Sequence, residues 1–309
     1  MINLPFIRAL DDLIEQRKTS GSLALPSFED GMAIFTDYSG ENREGSTYVF
    51  SFFVFDVTYD HIAFGDAMAE LRNTIFKPNC EKEISWKGRN HHTIKKVLPQ
   101  FLAVVEQTRG FLLTLVFENG VKNAFYGLSD VDLSNELKVI GGDYAPHIAR
   151  KLLIILHTVS YLISILSRPD RPVTWVTDQD AVVANSDVWK CTLDTFGHVV
   201  NQYCPHGLSF LGCSDSKHIP EFKDHLSVPD LAAGVMWDAF RHEDGIVDLA
   251  KHNHKLGDQA QLLRSWMANK RNRLVKLNVG LIDGPGGIEA RHLYFQPQWW
   301  IEGGAPPSS

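Results

Sequence analysis

The chain has 309 residues, of which 44% are hydrophobic and 22% are charged, a composition typical of a soluble globular protein. Its formal net charge of -7 argues against indiscriminate coating of nucleic acid, which depends on Lys and Arg meeting phosphates. A local basic groove and a carboxylate-rich metal site both stay compatible with it. The 4 cysteines contain no CxxC pair, which excludes zinc-finger spacing and indicates reduced thiols in a cytoplasmic protein. Residues 1–18 carry acids early and lack a long apolar core, so they predict no secretory signal.

The beginning of the chain predicts a helix followed by two antiparallel strands. Residues 6–18 have apolar residues at helical spacing, and residues 19–27 have the composition of a linker. Residues 31–37 are a compact apolar run that ends in Asp37, as in a central strand whose last residue reaches the edge of the sheet. After a polar turn, residues 47–57 are rich in Val and Phe and predict the second strand.

Helices and strands then alternate to the end of the chain. We predict helices at 62–76, 93–107, 152–166, 187–202, 227–240 and 256–270, strands at 111–120, 172–180 and 207–215, and a hairpin at 283–287. The stretch 152–166 is shorter than the roughly 20 apolar residues that a membrane-spanning helix needs. It therefore predicts a helix buried inside the fold, and no membrane association.

This alternation predicts an α/β protein with a mixed sheet and helices on both faces. The predicted domain organisation is an N-terminal helix and linker at 1–30, one α/β domain at 31–300 and a flexible tail at 301–309. In such sheets, functional sites collect where strands end and helices begin.

Four acids stand at these transitions. Asp37 and Asp178 end predicted strands, Glu83 lies in the motif EISWK, and Asp230 opens the helix predicted at 227–240. Mg²⁺ prefers hard oxygen ligands, and two such ions about 4 Å apart activate a water and stabilise the leaving oxygen in phosphodiester cleavage. Without metal, converging carboxylates repel one another and raise each other's pKa values. Each acid alone also has an ordinary structural explanation, since Asp commonly ends strands and caps helices.

The motifs around these acids resemble a known family. DYSG at 37–40 resembles the Asp-Glu-Ser-Gly opening of the domain-of-unknown-function 3800 family, a ribonuclease-H-like branch. EISWK at 83–87 resembles that family's Glu-x-Lys element with wider spacing, and VTWVTDQD at 173–180 resembles its later strand ending in Asp. VPDLAAG at 228–234 resembles its Ala-Asp-Leu-hydrophobic-Ala-Gly helix. The resemblance spans 33–240 and implies a ribonuclease-H-like fold.

Carried over by position, the resemblance implies a metal-dependent nuclease that acts on DNA or RNA with Mg²⁺ or Mn²⁺. The implied metal ligands are Asp37, Glu83, Asp178 and Asp230, and Lys87 is the implied phosphate contact. Replacement of Asp37 by Ala should abolish activity and leave the fold intact.

The chain also departs from the family pattern. Tyr38 stands where the family usually has Glu, which removes one possible ligand. Glu118, at the end of the strand predicted at 111–120, and Asp180 are alternatives to Asp178. With these departures and the acidic total, a second hypothesis is a catalytically inactive ribonuclease-H-like scaffold that binds nucleic acid or a partner protein.

Other motifs are less informative. The basic run at 264–276 surrounds Trp266 and is either a phosphate-contacting strip with a stacking face for a base or an ordinary solvated helix face. The 13 histidines offer zinc hydrolysis as a further alternative, but the chain lacks HxxxH and HExxH spacing. It also lacks GxSxG, GxGxxG and Walker motifs, which argues against nucleotide-cofactor chemistry.

Overall fold

The computed structural model describes residues 4–28, 30–40, 47–57, 60–75, 83–118, 122–139, 142–168, 170–178, 182, 184–205, 208, 210–215, 222–240, 257–269 and 273–295. The alternative ligand Asp180, the predicted tail at 301–309 and part of the basic run, at 270–272, lie outside these residues. The described residues form an α/β fold with one seven-stranded mixed sheet and eight α-helices, which confirms the predicted fold class.

The elements follow one another with few long connections. The strands are β1 (Met32–Ser39), β2 (Tyr48–Asp56), β3 (Gly110–Phe117), β4 (Pro172–Thr177), β5 (Phe210–Asp215), β6 (Leu274–Gly284) and β7 (Gly287–His292). The helices are α1 (Pro5–Thr19), α2 (His61–Ile75), α3 (His92–Glu106), α4 (Asp130–Val139), α5 (Pro146–Leu166), α6 (Ser186–Tyr203), α7 (Lys223–Phe240) and α8 (Asp258–Ala268).

The strand order across the sheet is β5-β4-β1-β2-β3-β6-β7. The first three strands form an antiparallel meander, whereas β4 pairs in parallel with β1 and β5 in parallel with β4. On the other side, β6 is parallel to β3, and β7 returns antiparallel to β6. Five strands, all except β2 and β7, therefore end at the same edge of the sheet, which we call the carboxyl edge.

Helices cover both faces of the sheet, as the sequence predicted. Ile34 and other alternate residues of β1 belong to a core shared with α1, α4, α5 and α6. Phe35 belongs to a second core shared with α2, α3, α7 and α8. We call these the α5 face and the α7 face. Because both faces are covered, β2 and β3 read as continuous apolar runs instead of alternating ones.

Helix α5 is the described helix that is long and apolar enough to cross a membrane by length and composition. Its most apolar window has a mean hydropathy of 1.6, and 78% of that window is buried inside the fold. The predicted buried helix is therefore confirmed. It begins at Pro146, ahead of the predicted start at Leu152, because proline suits the first turn of a helix.

Two predictions about helices are corrected by the structure. Helix α7 starts at Lys223 and contains Pro229 in its interior, so the prediction that Asp230 opens this helix is wrong. Proline favours a first turn but is tolerated further in when packing holds the helix, and Pro229 is buried. The second correction is α4 (Asp130–Val139), for which the sequence had predicted no element.

A candidate carboxylate site at the carboxyl edge

Asp37 and Asp178 become neighbours through the pairing of β1 with β4. The parallel register places Thr36 beside Thr177, so the next pair in the same register is Asp37 and Asp178. Phe35 and Val176 belong to the core of the α7 face, and strand side chains alternate with a period of two. Both carboxylates therefore stand on the α7 face, on strands about 4.8 Å apart. Asp37 is half-buried and Asp178 is exposed.

Asp230 reaches the same place from α7, which packs across β1 and β2. Asp230 lies close enough to Asp37 for its charge to act on that carboxyl group. Backbone N–H groups satisfy other oxygens: Tyr38 donates to Oδ1 of Asp37 at 2.6 Å, and Trp86 donates to Oδ2 of Asp230 at 2.6 Å. Each of the two carboxyl groups thus accepts a hydrogen bond from a backbone N–H group.

The electrostatics connect all four predicted ligands. Burial and then the negative charge of Asp230 raise the pKa of Asp37 well above its usual value, with a smaller rise from Asp178. Burial also raises the pKa of Asp230 to about 6, and the charges of Glu83 and Asp178 add to the rise. Burial and nearby like charges both disfavour the ionised form of a carboxyl group, so both raise its pKa. We call this group of four acids the carboxylate site.

The segment that carries Glu83 is seated on α7 by aromatic packing. The indole of Trp86 lies directly on Gly234, where a Cβ atom would overlap with its ring. The guanidinium of Arg89 stacks on Trp86, 3.5 Å from the ring centroid, and donates to the carbonyl of Trp86 at 2.9 Å. Gly234 stands one helical turn after Asp230, so one face of α7 holds both the carboxylate and the segment.

The glycine of the DYSG motif has a steric role. Gly40 has a φ of +102°, and a Cβ atom there would collide with the carbonyl oxygen of Thr47 and lie 3.0 Å from Cδ1 of Trp237 on α7. Glycine therefore lets β1 end close beneath α7 with a left-handed backbone. That close approach brings Asp37 next to the helix that carries Asp230.

Tyr38 points to the opposite face of the sheet. Its hydroxyl hydrogen-bonds to the hydroxyl of Thr177, and the ammonium of Lys151 on α5 lies 4.0 Å from its ring centroid. A carboxylate at position 38 would also face α5, so the replacement of Glu by Tyr takes no ligand from the α7 face. The sequence analysis missed Lys151, whose charge lowers the pKa of Asp37; a single lysine just before an apolar run gave no signal.

Two other candidates lie at the margin of the carboxylate site or away from it. Lys87 is exposed in the turn next to Trp86, whose N–H donates to Asp230. Glu118 follows β3, and the residue of β3 in line with Asp37 across β2 is Thr114. Two strand spacings and four residues separate Glu118 from Asp37, about 10 Å across the sheet and about 13 Å along it. The geometry leaves Asp178, and not Glu118, beside Asp37.

The described part of the basic run contains two buried residues. Trp266 is 6% exposed and Lys276 is 7% exposed. Lys276 forms an ion pair with Glu106 and donates to the carbonyl of Trp266 at 2.7 Å. The alternative in which Trp266 offers a face to a base is therefore wrong, and Trp266 and Lys276 do not belong to a solvated helix face either.

The carboxylates do not form a closed coordination shell. Within the described part of the chain, no group of three or more His, Cys, Asp or Glu side chains has the arrangement to hold a metal ion. The four acids are near enough for their charges to raise the pKa values of Asp37 and Asp230. No protein-family model matches this chain, and a comparison with curated proteins also finds no match.

Proposed function

We propose that the chain is a metal-dependent nuclease or phosphodiesterase of the ribonuclease-H-like type that acts on DNA or RNA. The observation that carries the proposal is the convergence of four acids from four distant segments at the carboxyl edge of the sheet, next to β1 and β4. Acids that lie close together repel one another, and a divalent cation would relieve that repulsion.

The strand order supports the ribonuclease-H-like part of the proposal. The five strands β3-β2-β1-β4-β5 combine an antiparallel meander with two parallel strands that follow helical crossovers. This order, with these directions, is the one we expect for a ribonuclease-H-like sheet. Asp37 stands at the carboxyl edge of the middle strand of the five, where α/β sheets commonly bind their ligands.

The chemistry of the donor set fits Mg²⁺ or Mn²⁺, since four carboxylates supply the hard oxygen ligands that these ions prefer. Asp37, Glu83, Asp178 and Asp230 would hold one or two ions, which supply charge for an attacking water and for the leaving oxygen of a phosphodiester. The backbone N–H groups of Tyr38 and Trp86 fix one oxygen each of Asp37 and Asp230, which leaves the other oxygens to the cation. Lys87, exposed beside this group, would neutralise the phosphate.

The direct test is cleavage of labelled single- and double-stranded DNA and RNA with Mn²⁺, Mg²⁺ or EDTA. Metal-dependent cleavage should fall at least about 100-fold in Asp37→Asn, because mutations of this kind remove charge stabilisation in the transition state. The matched control is Asp66→Asn, which neutralises an exposed acid in the middle of α2 and should cleave like the wild type. Equal cleavage by Asp37→Asn would reject the assignment of the site.

The competing proposal is an inactive ribonuclease-H-like scaffold that binds nucleic acid or a partner protein. The observation that favours it is the absence, among the described residues, of acids spaced for a metal ion. The scaffold predicts that folded protein binds labelled nucleic acid equally well in Mn²⁺ and in EDTA and cuts none of it. Cleavage in Mn²⁺ alone would reject the scaffold and support the nuclease.

A further inference from the structure

A cluster of positive charge stands next to the carboxylate site, on the same face of the sheet. The chain as a whole has 37 acids and only 30 Lys and Arg residues, but residues 84–105 contain no acid. Five exposed residues of this stretch are lysines or histidines: Lys87, His91, His92, Lys95 and Lys96. We call these five the α3 rim, because they lead into the first turns of α3. Positive charge that is gathered in one place of an acidic protein indicates a negatively charged partner for that place.

A compact stretch of backbone joins the α3 rim to the carboxylate site. The rim begins directly after Trp86, whose N–H donates to Oδ2 of Asp230 at 2.6 Å. In the two tight turns that follow, the N–H of Arg89 donates to the carbonyl of Trp86 at 3.2 Å, and the N–H of His91 donates to the carbonyl of Gly88 at 2.8 Å. The Cα atoms of the rim therefore extend at most about 20 Å from Trp86. At about 3.4 Å of helix axis per phosphate, this is the length of up to about six nucleotides of one strand.

The lysines of the rim contribute little to the stability of the fold. Within the residues that the structure describes, Lys87, Lys95 and Lys96 form no ion pair. Lys95 and Lys96 lie near the start of α3, whose first turn contains no acid. Basic residues near the start of a helix oppose its dipole, so these two lysines disfavour the helix that carries them. A polyanion bound to the rim would turn the same charges into a stabilising interaction.

A histidine of the rim adds a hydrogen-bond donor beside the lysines. Nδ1 of His91 accepts a hydrogen bond from the backbone N–H of Thr93 at 3.4 Å, so the neutral imidazole carries its proton on Nε2. Side chains four residues apart are neighbours on a helix, which places Lys95 one turn beyond His91. Ammonium groups and an imidazole N–H in this order suit the phosphate oxygens of successive nucleotides.

We propose that the α3 rim binds the phosphate backbone of the nucleic-acid strand whose scissile phosphate lies at the carboxylate site. The place of the scissile phosphate rests on the proposed nuclease function. Contacts of this kind position a strand without reading its sequence. Binding at the rim requires neither metal nor cleavage, so it is measured separately from the nuclease activity.

The test measures binding of labelled single- and double-stranded DNA and RNA of about 20 nucleotides to the full chain in EDTA, by fluorescence anisotropy between about 50 and 200 mM KCl. Lys95→Gln combined with Lys96→Gln should weaken binding at least about tenfold, because two contacts between a lysine and a phosphate are lost. The slope of log K against log[KCl] should become shallower by about 1.4 for a single strand or about 1.8 for a duplex. Glutamine and lysine have similar helix propensities, so α3 should stay folded.

The matched control is Lys18→Gln combined with Lys190→Gln. These substitutions remove two exposed lysines from α1 and α6, on the other face of the sheet, and change the net charge by the same amount. This control should bind nucleic acid like the wild type. Lys95→Arg combined with Lys96→Arg retains both charges and should also bind like the wild type, which shows that charge is the cause of the loss.

Cleavage gives a second readout of the same variant. Lys95→Gln combined with Lys96→Gln should raise KM for oligonucleotide cleavage about tenfold and leave kcat unchanged, because contacts with distant phosphates are the same in the ground state and the transition state. A lower kcat with an unchanged KM would contradict a role in binding.

Three outcomes of the binding test would overturn the proposal: no binding by the wild type, unchanged binding by the variant of Lys95 and Lys96, or an equal loss in the variant of Lys18 and Lys190. Binding that depends on the rim, without cleavage in any metal, would reject the nuclease and retain the rim. Cleavage together with binding that is independent of the rim would retain the nuclease and reject the rim.

Discussion

Two groups of charged side chains in this protein are arranged in opposite ways. Glu106 on α3 and Lys276 on β6 form an ion pair whose side chains are 7% and 1% exposed, and Lys276 also donates to the carbonyl of Trp266. At the carboxyl edge, Asp37 and Asp230 face each other with Glu83 and Asp178 nearby, and all four are acids. The first group pairs an acid with a base, whereas the second brings acids together.

This difference is why we interpret the ion pair as structural and propose a function for the carboxylate site. Burial lowers the pKa of Lys276, and the charge of Glu106 opposes that change, so the pair is balanced inside the protein. In the carboxylate site, burial and the charges of neighbouring acids raise the pKa values of Asp37 and Asp230. Acids that repel one another would be stabilised by an added cation. For that reason we propose a function for the carboxylate site and not for the ion pair.

The largest expected effect on stability comes from removing one partner of the ion pair between Glu106 and Lys276. Lys276→Met leaves Glu106 buried without its counter-charge, which should lower the free energy of unfolding by about 3 to 5 kcal/mol. Urea denaturation followed by circular dichroism measures the change. The double variant with Glu106→Leu should recover most of the loss, because apolar pairs often replace buried ion pairs at little cost. A double variant as unstable as Lys276→Met would contradict the pairing.

A smaller effect on stability is expected where the segment that carries Glu83 packs on α7. Gly234→Ala places a methyl group in the indole of Trp86 and should lower stability by about 1 to 3 kcal/mol, as overpacking does. It should also reduce metal-dependent cleavage, since Trp86 donates to Asp230. The control is Gly197→Ala in α6, where a Cβ meets nothing within 4 Å, and it should gain up to about 1 kcal/mol. Equal gains at both positions would show that Trp86 does not pack there.

The smallest effect is on pH dependence. The pKa of Asp230 rises from 3.8 to about 6 on folding, so between these values the folded state holds a proton that the unfolded state has lost. Stability in EDTA should therefore fall as the pH rises through this window, by about 1 to 2 kcal/mol for this group between pH 5 and pH 7.5. Denaturation at both pH values should show a smaller fall in Asp230→Asn. An equal fall in wild type and variant would remove Asp230 as its cause.

The sequence predicts most of the fold where composition and periodicity agree. The apolar runs of β1, β2 and β3 and the hairpin of β6 and β7 lie where the sequence places them. The sequence does not predict helix α4, because its buried apolar residues are few, chiefly Leu133 and Leu137, and lie among acids and exposed valines. The start of α7 is predicted wrongly because Pro229 was expected in the first turn of the helix, whereas packing holds it inside the helix.

The candidate site is predicted in part, and for a physical reason. Acids that follow two strands lie close together when those strands are parallel neighbours. Two motifs with an acid at the end of a strand therefore predict that Asp37 and Asp178 are neighbours. The role of Lys151 depends on which elements pack together across the sheet. No local pattern in the sequence encodes that packing.

The most direct measurement is the titration of metal-free protein with Mn²⁺ at pH 7.5, by calorimetry or by the electron paramagnetic resonance of free Mn²⁺. The carboxylate site should bind one or two ions per chain, and Asp37→Asn and Asp230→Asn should each weaken that binding at least about tenfold, while Asp66→Asn binds like the wild type. Folded wild-type protein that takes up no Mn²⁺, or an Asp37→Asn variant that binds it unchanged, would contradict the assignment of these four acids as a metal site.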